Sequence, residues 1–137
     1  MLTLSAKAVY GLTAVLELAS CYNRGPVQIK DIAEAHDIPQ HYLEQLLVVL
    51  KKSGIVESFR GAQGGYALAR APFEIKVIEI VSCLDGKLAI VPEARRKGPL
   101  LFFWNNLERS IASLLEKTVE ELMAEKQFSD KQFVYHI

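Results

Sequence analysis

Across Gly54 the apolar period of the chain switches from helical to extended, and few folds accommodate that switch at that spacing. From Gln40 to Lys52, Leu43, Leu46, Leu47 and Leu50 stand at i, i+3, i+4 and i+7, which predicts an amphipathic helix with one leucine face. Gly54 fits a left-handed cap that ends it. The stretch 55–60 then alternates as a strand does, 61–65 reads Gly-Ala-Gln-Gly-Gly, and 66–69 forms a second strand. In front of the leucine helix, residues 28–36 predict a short helix with Ile29, Ile32 and Ala33 inward and with Gln28 as a weak cap, followed by a turn through Pro39. Two short helices joined by a tight turn are common in helical proteins. With a glycine-rich hairpin immediately behind them they predict a winged helix-turn-helix. The glycines let the hairpin tip reverse and let its backbone lie close to another surface.

The remaining elements are helical. A helix over 5–22 carries Val9, Leu12, Leu16 and Ala19 as its apolar stripe, with Ser5 as the N-cap. A fourth helix over 73–84 carries Ile75, Ile78 and Val81, and Asp85-Gly86 ends it. Residues 87–99 show no period and hold the basic run Arg95-Arg96-Lys97, so a loop is expected. Over 100–117, Trp104, Leu107, Ile111, Leu114 and Thr118 follow 3-4-3-4 spacing, a heptad seam suited to dimerisation. Thr118 and Glu121 match a capping box that restarts a short helix through Met123. The last residues, with Phe128, Phe133 and Tyr135, are expected to form a mobile tail. The fold class is thus mainly α with a small β-hairpin wing. The chain divides into a winged helix-turn-helix (1–72), a linking helix with an effector-region loop (73–99), dimerisation helices (100–126) and a tail (127–137).

Composition narrows the function. Half of the 137 residues are apolar and 23% are charged, enough to build a core. No stretch approaches the roughly 20 apolar residues of a membrane span, and the N-terminus lacks the order of a signal peptide. Two cysteines, Cys21 and Cys83, give no disulfide framework and suit a reducing cytosol. Sixteen basic and sixteen acidic residues cancel. Residues 1–72 hold seven Lys and Arg against six Asp and Glu. Between Glu44 and Arg70, however, Lys51, Lys52, Arg60 and Arg70 face only Glu44 and Glu57. A nucleic-acid surface here would be local and of modest non-specific affinity. No nucleophile–base set, phosphate loop or metal-ligand spacing is present, so the chain does not read as an enzyme.

A helix-turn-helix contacts base edges from the N-terminal end of its second helix. With the leucines inward, Gln40, His41, Tyr42, Glu44 and Gln45 occupy that end. Gln40 or Gln45 could pair with adenine, and Glu44 could accept from a cytosine amine. Arg60 opens the wing, and its guanidinium suits a narrow, electronegative minor groove. Gln63 and Gly64 mark the wing tip. Lys51 and Lys52 could meet phosphates or simply complement the negative end of their helix. Tyr42 and Tyr66 are as suited to packing as to contact.

The ordered series Ile38-Pro39-Gln40-His41-Tyr42-Leu43-Glu44-Gln45-Leu46-Leu47, Ser53-Gly54-Ile55-Val56 and Arg60-Gly61-Ala62-Gln63-Gly64-Gly65-Tyr66-Ala67-Leu68-Ala69-Arg70 resembles the IscR/NsrR/CymR regulators, often called the Rrf family. The resemblance extends from Leu4 to the helix holding Trp104. It implies a cytoplasmic bacterial homodimer that binds double-stranded DNA with the third helix in the major groove and the wing in the minor groove; such a dimer is expected to act on a pseudo-palindromic operator, as a repressor or an activator, with repression the first expectation. It also implies a phosphate contact at Lys7, operator discrimination at Glu44, and a dimer interface on the long helix. His41 and Pro39 stand where some relatives have serines, so the operator preference is expected to differ.

Cluster-binding relatives carry three cysteines in the loop that here spans 87–99. This loop has no Cys and no His. Iron–sulfur clusters are held by thiolates, usually four, so no cofactor is expected. Cys21 and Cys83 read first as small, partly buried hydrophobes, and second as redox thiols. The effector could then be a small molecule, a partner protein or a thiol oxidant. A competing reading is a winged-helix interaction module that no longer binds DNA.

Overall fold

The computed structural model describes residues 2–136, with side chains through Gln132. Six α-helices and one antiparallel hairpin follow in the order α1 (Ala6–Ser20), α2 (Ile29–His36), α3 (Gln40–Lys52), β1 (Val56–Phe59), β2 (Gly65–Leu68), α4 (Val77–Asp85), α5 (Leu101–Leu114) and α6 (Val119–His136). Two short 3-10 turns interrupt the connections, Pro72–Glu74 between β2 and α4 and Glu93–Arg95 between α4 and α5.

Helix α1 is the hub, packing against α2, α3, β2, α4 and α6. Its buried residues are Ala8, Gly11, Ala14, Val15, Leu18 and Ala19. The stripe expected through Val9 is therefore rotated, and Val9 is 52% exposed. Small residues won because neighbours pack on several sides of α1, and α4 lies so close at Gly11 that an added Cβ would collide with Leu84. Ser5 caps the helix, its hydroxyl accepting from Ala8 N at 3.3 Å. The same hydroxyl donates to Asp85, whose carboxylate also accepts from Ser5 N at 3.0 Å. The end of α4 is thereby tied to the start of α1.

Leu43, Leu47 and Leu50 of α3 are fully buried with Ile32, Val15 and Leu18. Each such side chain contributes about 1.5–3 kcal/mol relative to exposure. Ile55, Val56 and Leu68 carry the same core into the hairpin, whose register pairs Val56 with Leu68 and Phe59 with Gly65.

Three differences from the sequence reading have physical causes. The fourth helix starts at Val77 rather than Phe73, because 75–77 are drawn out to pair with the segment before α6. Val77 N donates to Lys117 O at 2.9 Å, and Val119 N donates to Ile75 O at 2.8 Å. Ile75 is consequently buried outside any helix. The fifth helix ends at Leu114, where the chain turns and Thr118 caps α6 by accepting from Glu121 N at 3.1 Å. Helix α6 then runs past Met123 to His136. It contains neither Gly nor Pro, and Lys126 pairs with Asp130 one turn on at 2.7 Å. Phe128 is 65% exposed, while the side chains of Phe133 and Tyr135 lie outside the described residues. Near the same junction Lys76 pairs with Glu116 at 2.8 Å, and that hydrogen-bonded carboxylate raises the lysine above its ordinary pKa.

Candidate nucleic-acid interface

The leucine face of α3 dictates what its other face can be. Gln40, His41, Glu44 and Gln45 are all exposed. Gln45 Nε2 lies 3.4 Å from His41 Nε2, a one-turn pairing that lines both up along the surface. Tyr42 is half-buried, with its ring edge-on to Tyr10 of α1 at 5.8 Å, so packing fixes its ring. At the far end of α3, Lys51 and Lys52 are exposed. Lys51 Nζ donates to Ser58 Oγ of β1 at 2.6 Å, which links helix and wing. Lys7 is exposed in the first turn of α1.

Arg60 and Gln63 are exposed on the wing, whereas Gly64 is buried. Gly64 N donates to Gly61 O at 2.9 Å and closes the tip, and a Cβ there would lie 2.9 Å from Arg60 C. Its place is inside the turn, so it shapes the wing and presents little surface. Tyr66 packs against the core with its ring half-buried.

The surface that the wing glycines approach belongs to the chain itself. Val27 N donates to Tyr66 O, and Tyr66 N to Val27 O, each at 2.8 Å, an isolated antiparallel bridge that joins the α1–α2 turn to the hairpin. Gly65 has φ 140°, and an added Cβ would lie 2.5 Å from Val27 C and 2.9 Å from Gln28 N. Gln28 Nε2 donates to Ala62 O at 3.1 Å. The sequence marked Gln28 only as a poor helix cap. That poverty was the available signal, since its side chain makes no cap hydrogen bond and is engaged elsewhere.

The second surface is on α5. Among the described residues this 14-residue helix has no buried side chain. Of the expected seam, Trp104, Leu107 and Ile111 are half-buried and Leu114 is 69% exposed. Leu101, Phe102 and Phe103 are exposed as well, an apolar addition that the heptad pattern did not single out. The preceding loop is pinned to α5, because Arg96 pairs with Glu108 and reaches Asn105 at 3.4 Å. Both partners of that ion pair are more than four-fifths buried.

Both thiols are half-buried. Cys83 Sγ lies 2.9 Å from Ser53 Oγ, behind the C-terminal end of α3, and Cys21 lies 3.8 Å from Ser20 Oγ. Among the described residues no three His, Cys, Asp or Glu side chains gather as a metal site, and no helix is long and apolar enough to cross a membrane.

Comparison with known proteins gives a consistent set of similarities. The family model described as "Rrf2: Iron-dependent Transcriptional regulator" matches residues 4–130. The chain is 32% identical to the HTH-type transcriptional regulator CymR of Bacillus subtilis, over 98% of this chain and 99% of that one. It is 36% identical to the regulator IscR of Aliivibrio salmonicida, over 94% and 83%. The solved structure of B. subtilis CymR, described as a global cysteine regulator, superposes with a TM-score of 0.84 at 35% identity, covering 91% of this chain and 98% of that one. T. potens IscR superposes with a TM-score of 0.77 at 39% identity, over 91% and 88%.

The iron named in the family description, and the cluster that the sequence resemblance brought into view, do not fit the donors present here. Two half-buried thiols, one beside Ser20 and one beside Ser53, are half the usual ligand set. The loop pinned by Arg96 offers no Cys or His to complete it.

Proposed function

The chain belongs to the Rrf2 family and is a DNA-binding transcriptional regulator, and we propose that it acts as a homodimeric repressor on a pseudo-palindromic operator in the cytoplasm, without an iron–sulfur cluster. One observation carries the reading: the polar N-terminal end of α3 and the wing are both exposed, and Lys51, at the other end of α3, ties that helix to β1 through Ser58. Gln40, His41, Glu44 and Gln45 read base edges in the major groove, with Tyr42 held beside them by Tyr10. Arg60 enters the adjacent minor groove, and Gln63 bonds to a phosphate or base edge at the wing tip. Lys7, Lys51 and Lys52 meet phosphates and set the register.

The apolar face of α5 makes the dimer, which places two reading units about 34–36 Å apart on one side of the duplex. Exposed Phe103 and Leu114, on the same side of α5 as half-buried Trp104, Leu107 and Ile111, support this, and Leu101 and Phe102 add exposed apolar surface at its start. The controlling signal enters at the loop 87–99, where a small molecule or partner protein that competes for Arg96 or Glu108 would shift α5.

The test is a mobility shift against fragmented genomic DNA at several salt concentrations, followed by footprinting. The expected result is a retained fragment with a two-fold symmetric protected site and a steep loss of affinity with salt. An intact dimer that retains no fragment would overturn the proposal.

A further inference from the structure

Gln28 occupies an unusual place for its chemistry. It is the N-cap of α2, with extended backbone at φ −74° and ψ 143°, where Ser, Thr, Asp or Asn would satisfy an otherwise unpaired N–H. Its side chain makes no such bond. It crosses 34 residues of sequence to donate its amide N–H to the carbonyl of Ala62, between the positive-φ turn residue Gly61 and the tip residue Gln63. Its other fastenings lie nearer its base: the two Val27–Tyr66 bonds, the close approach of Gly65, and the bond from Lys51 to Ser58. Beyond those points, Arg60 to Gln63 project as exposed chain on a hairpin of two four-residue strands. A two-stranded hairpin by itself is marginally ordered in water.

We infer that Gln28 is a positioning residue for DNA binding: its amide fixes the wing tip relative to the helix-turn-helix, so that Arg60 and Gln63 meet the minor groove already aligned when α3 enters the major groove. The inference rests on the proposed role of the wing. Gln28 itself touches no DNA in this arrangement. It acts through Ala62, and through its place at the first residue of the helix-turn-helix it couples the position of the wing to that of α2 and α3. A tethered tip surrenders less freedom on binding than a loose one, and the difference appears directly in affinity.

Two full-length variants test it. Gln28→Ser improves the helix cap but cannot reach Ala62. Gln28→Glu keeps the length and a favourable charge at a helix N-terminus, but a carboxylate cannot donate to a carbonyl. The operator affinity of each is measured by fluorescence anisotropy, alongside thermal melting and dimethyl sulfate footprinting. That reagent reads guanine N7 in the major groove and adenine N3 in the minor groove. The expected result for both is unchanged or raised melting temperature and about three- to tenfold weaker binding, the equivalent of one neutral hydrogen bond. Adenine N3 protection under the wing is lost while guanine N7 protection is kept. A merely structural residue would not separate the two grooves. Wild-type affinity and adenine protection in either variant would overturn the tether. Arg60→Ala, measured in parallel, distinguishes the failures: if it loses adenine protection and the Gln28 variants do not, the wing reading stands alone. If Arg60→Ala also retains it, the wing reading falls and the tether with it.

Discussion

Replacing Gly65 by alanine should cost clearly more than the same replacement at Gly61, on the other side of the wing turn. The residue sits at φ 140°, in a region that L side chains rarely adopt, and holding alanine there costs of order 1–3 kcal/mol. The new Cβ would also stand 2.5 Å from Val27 C and closer still to its carbonyl oxygen, a backbone group that cannot swing aside as a side-chain tip can. Moving Val27 away lengthens both 2.8 Å hydrogen bonds to Tyr66, each worth about 1 kcal/mol net. The sum is roughly 3–5 kcal/mol, a large share of the ~5–15 kcal/mol that holds a domain of this size. Gly61→Ala is the internal control. Its φ is 99°, but nothing lies within 4 Å of its Cβ, so only the backbone strain of about 1–2 kcal/mol remains. Urea unfolding of the two variants, followed by circular dichroism, yields the comparison. If Gly65→Ala costs no more than Gly61→Ala, then the wing does not lie against Val27 as described, and its fastening at that point is wrong.

Two further outcomes follow from the interfaces. Arg60→Ala should weaken operator binding about tenfold or more while leaving the dimer intact by analytical ultracentrifugation, since Arg60 is exposed on the wing and far in sequence from α5; unaltered affinity would remove the wing from DNA recognition. Leu114→Glu should yield a folded monomer, because Leu114 is 69% exposed at the end of α5 and nothing in the protomer's core depends on it; a variant that still sediments as a dimer would move the interface off that part of the helix.

Patterns written within about ten residues were legible, and patterns that depend on distant partners were not. The leucines of α3, the alternation of the hairpin and the turn glycines are local, and they located the helix-turn-helix and wing to within a residue or two. Ile75 misled because its apolar side chain was assigned to a helix face, when backbone pairing to Val119 held it extended. Val9 misled because a hub helix is buried on several sides by neighbours that the sequence does not name. The same limit applied at the interface. Exposure of Gln40, Glu44 and Arg60 could be argued from what the leucines and glycines leave outside. The bond from Gln28 to Ala62 joins residues 34 apart with no shared local pattern; Lys51 and Ser58 are near in sequence, but they sit on a helix and a strand whose relative angle the local pattern does not give.

A net charge of zero sets a condition on how this regulator can discriminate. Binding strength that comes from phosphates scales with the cations that displace counterions, and log K falls by about 0.9 per phosphate neutralised. The cations assigned to DNA in one protomer are Lys7, Lys51, Lys52 and Arg60. In a dimer these eight allow a slope no steeper than roughly −7, with Glu44 and Glu57 on the same elements opposing it. The phosphate contribution is bounded by these contacts and is the same on any sequence, so preference for an operator has to come from base-edge contacts and from a helix and wing held in fixed relation. Rigidity between α3 and the wing becomes a requirement for selectivity, which is why their linkage through Ser58, Val27 and Gln28 matters more here than in a strongly basic protein. The slope of log K against log salt on operator and on random DNA measures the division directly. A slope much steeper than −7 would place further cations on the DNA and show that the surface assigned here is too small.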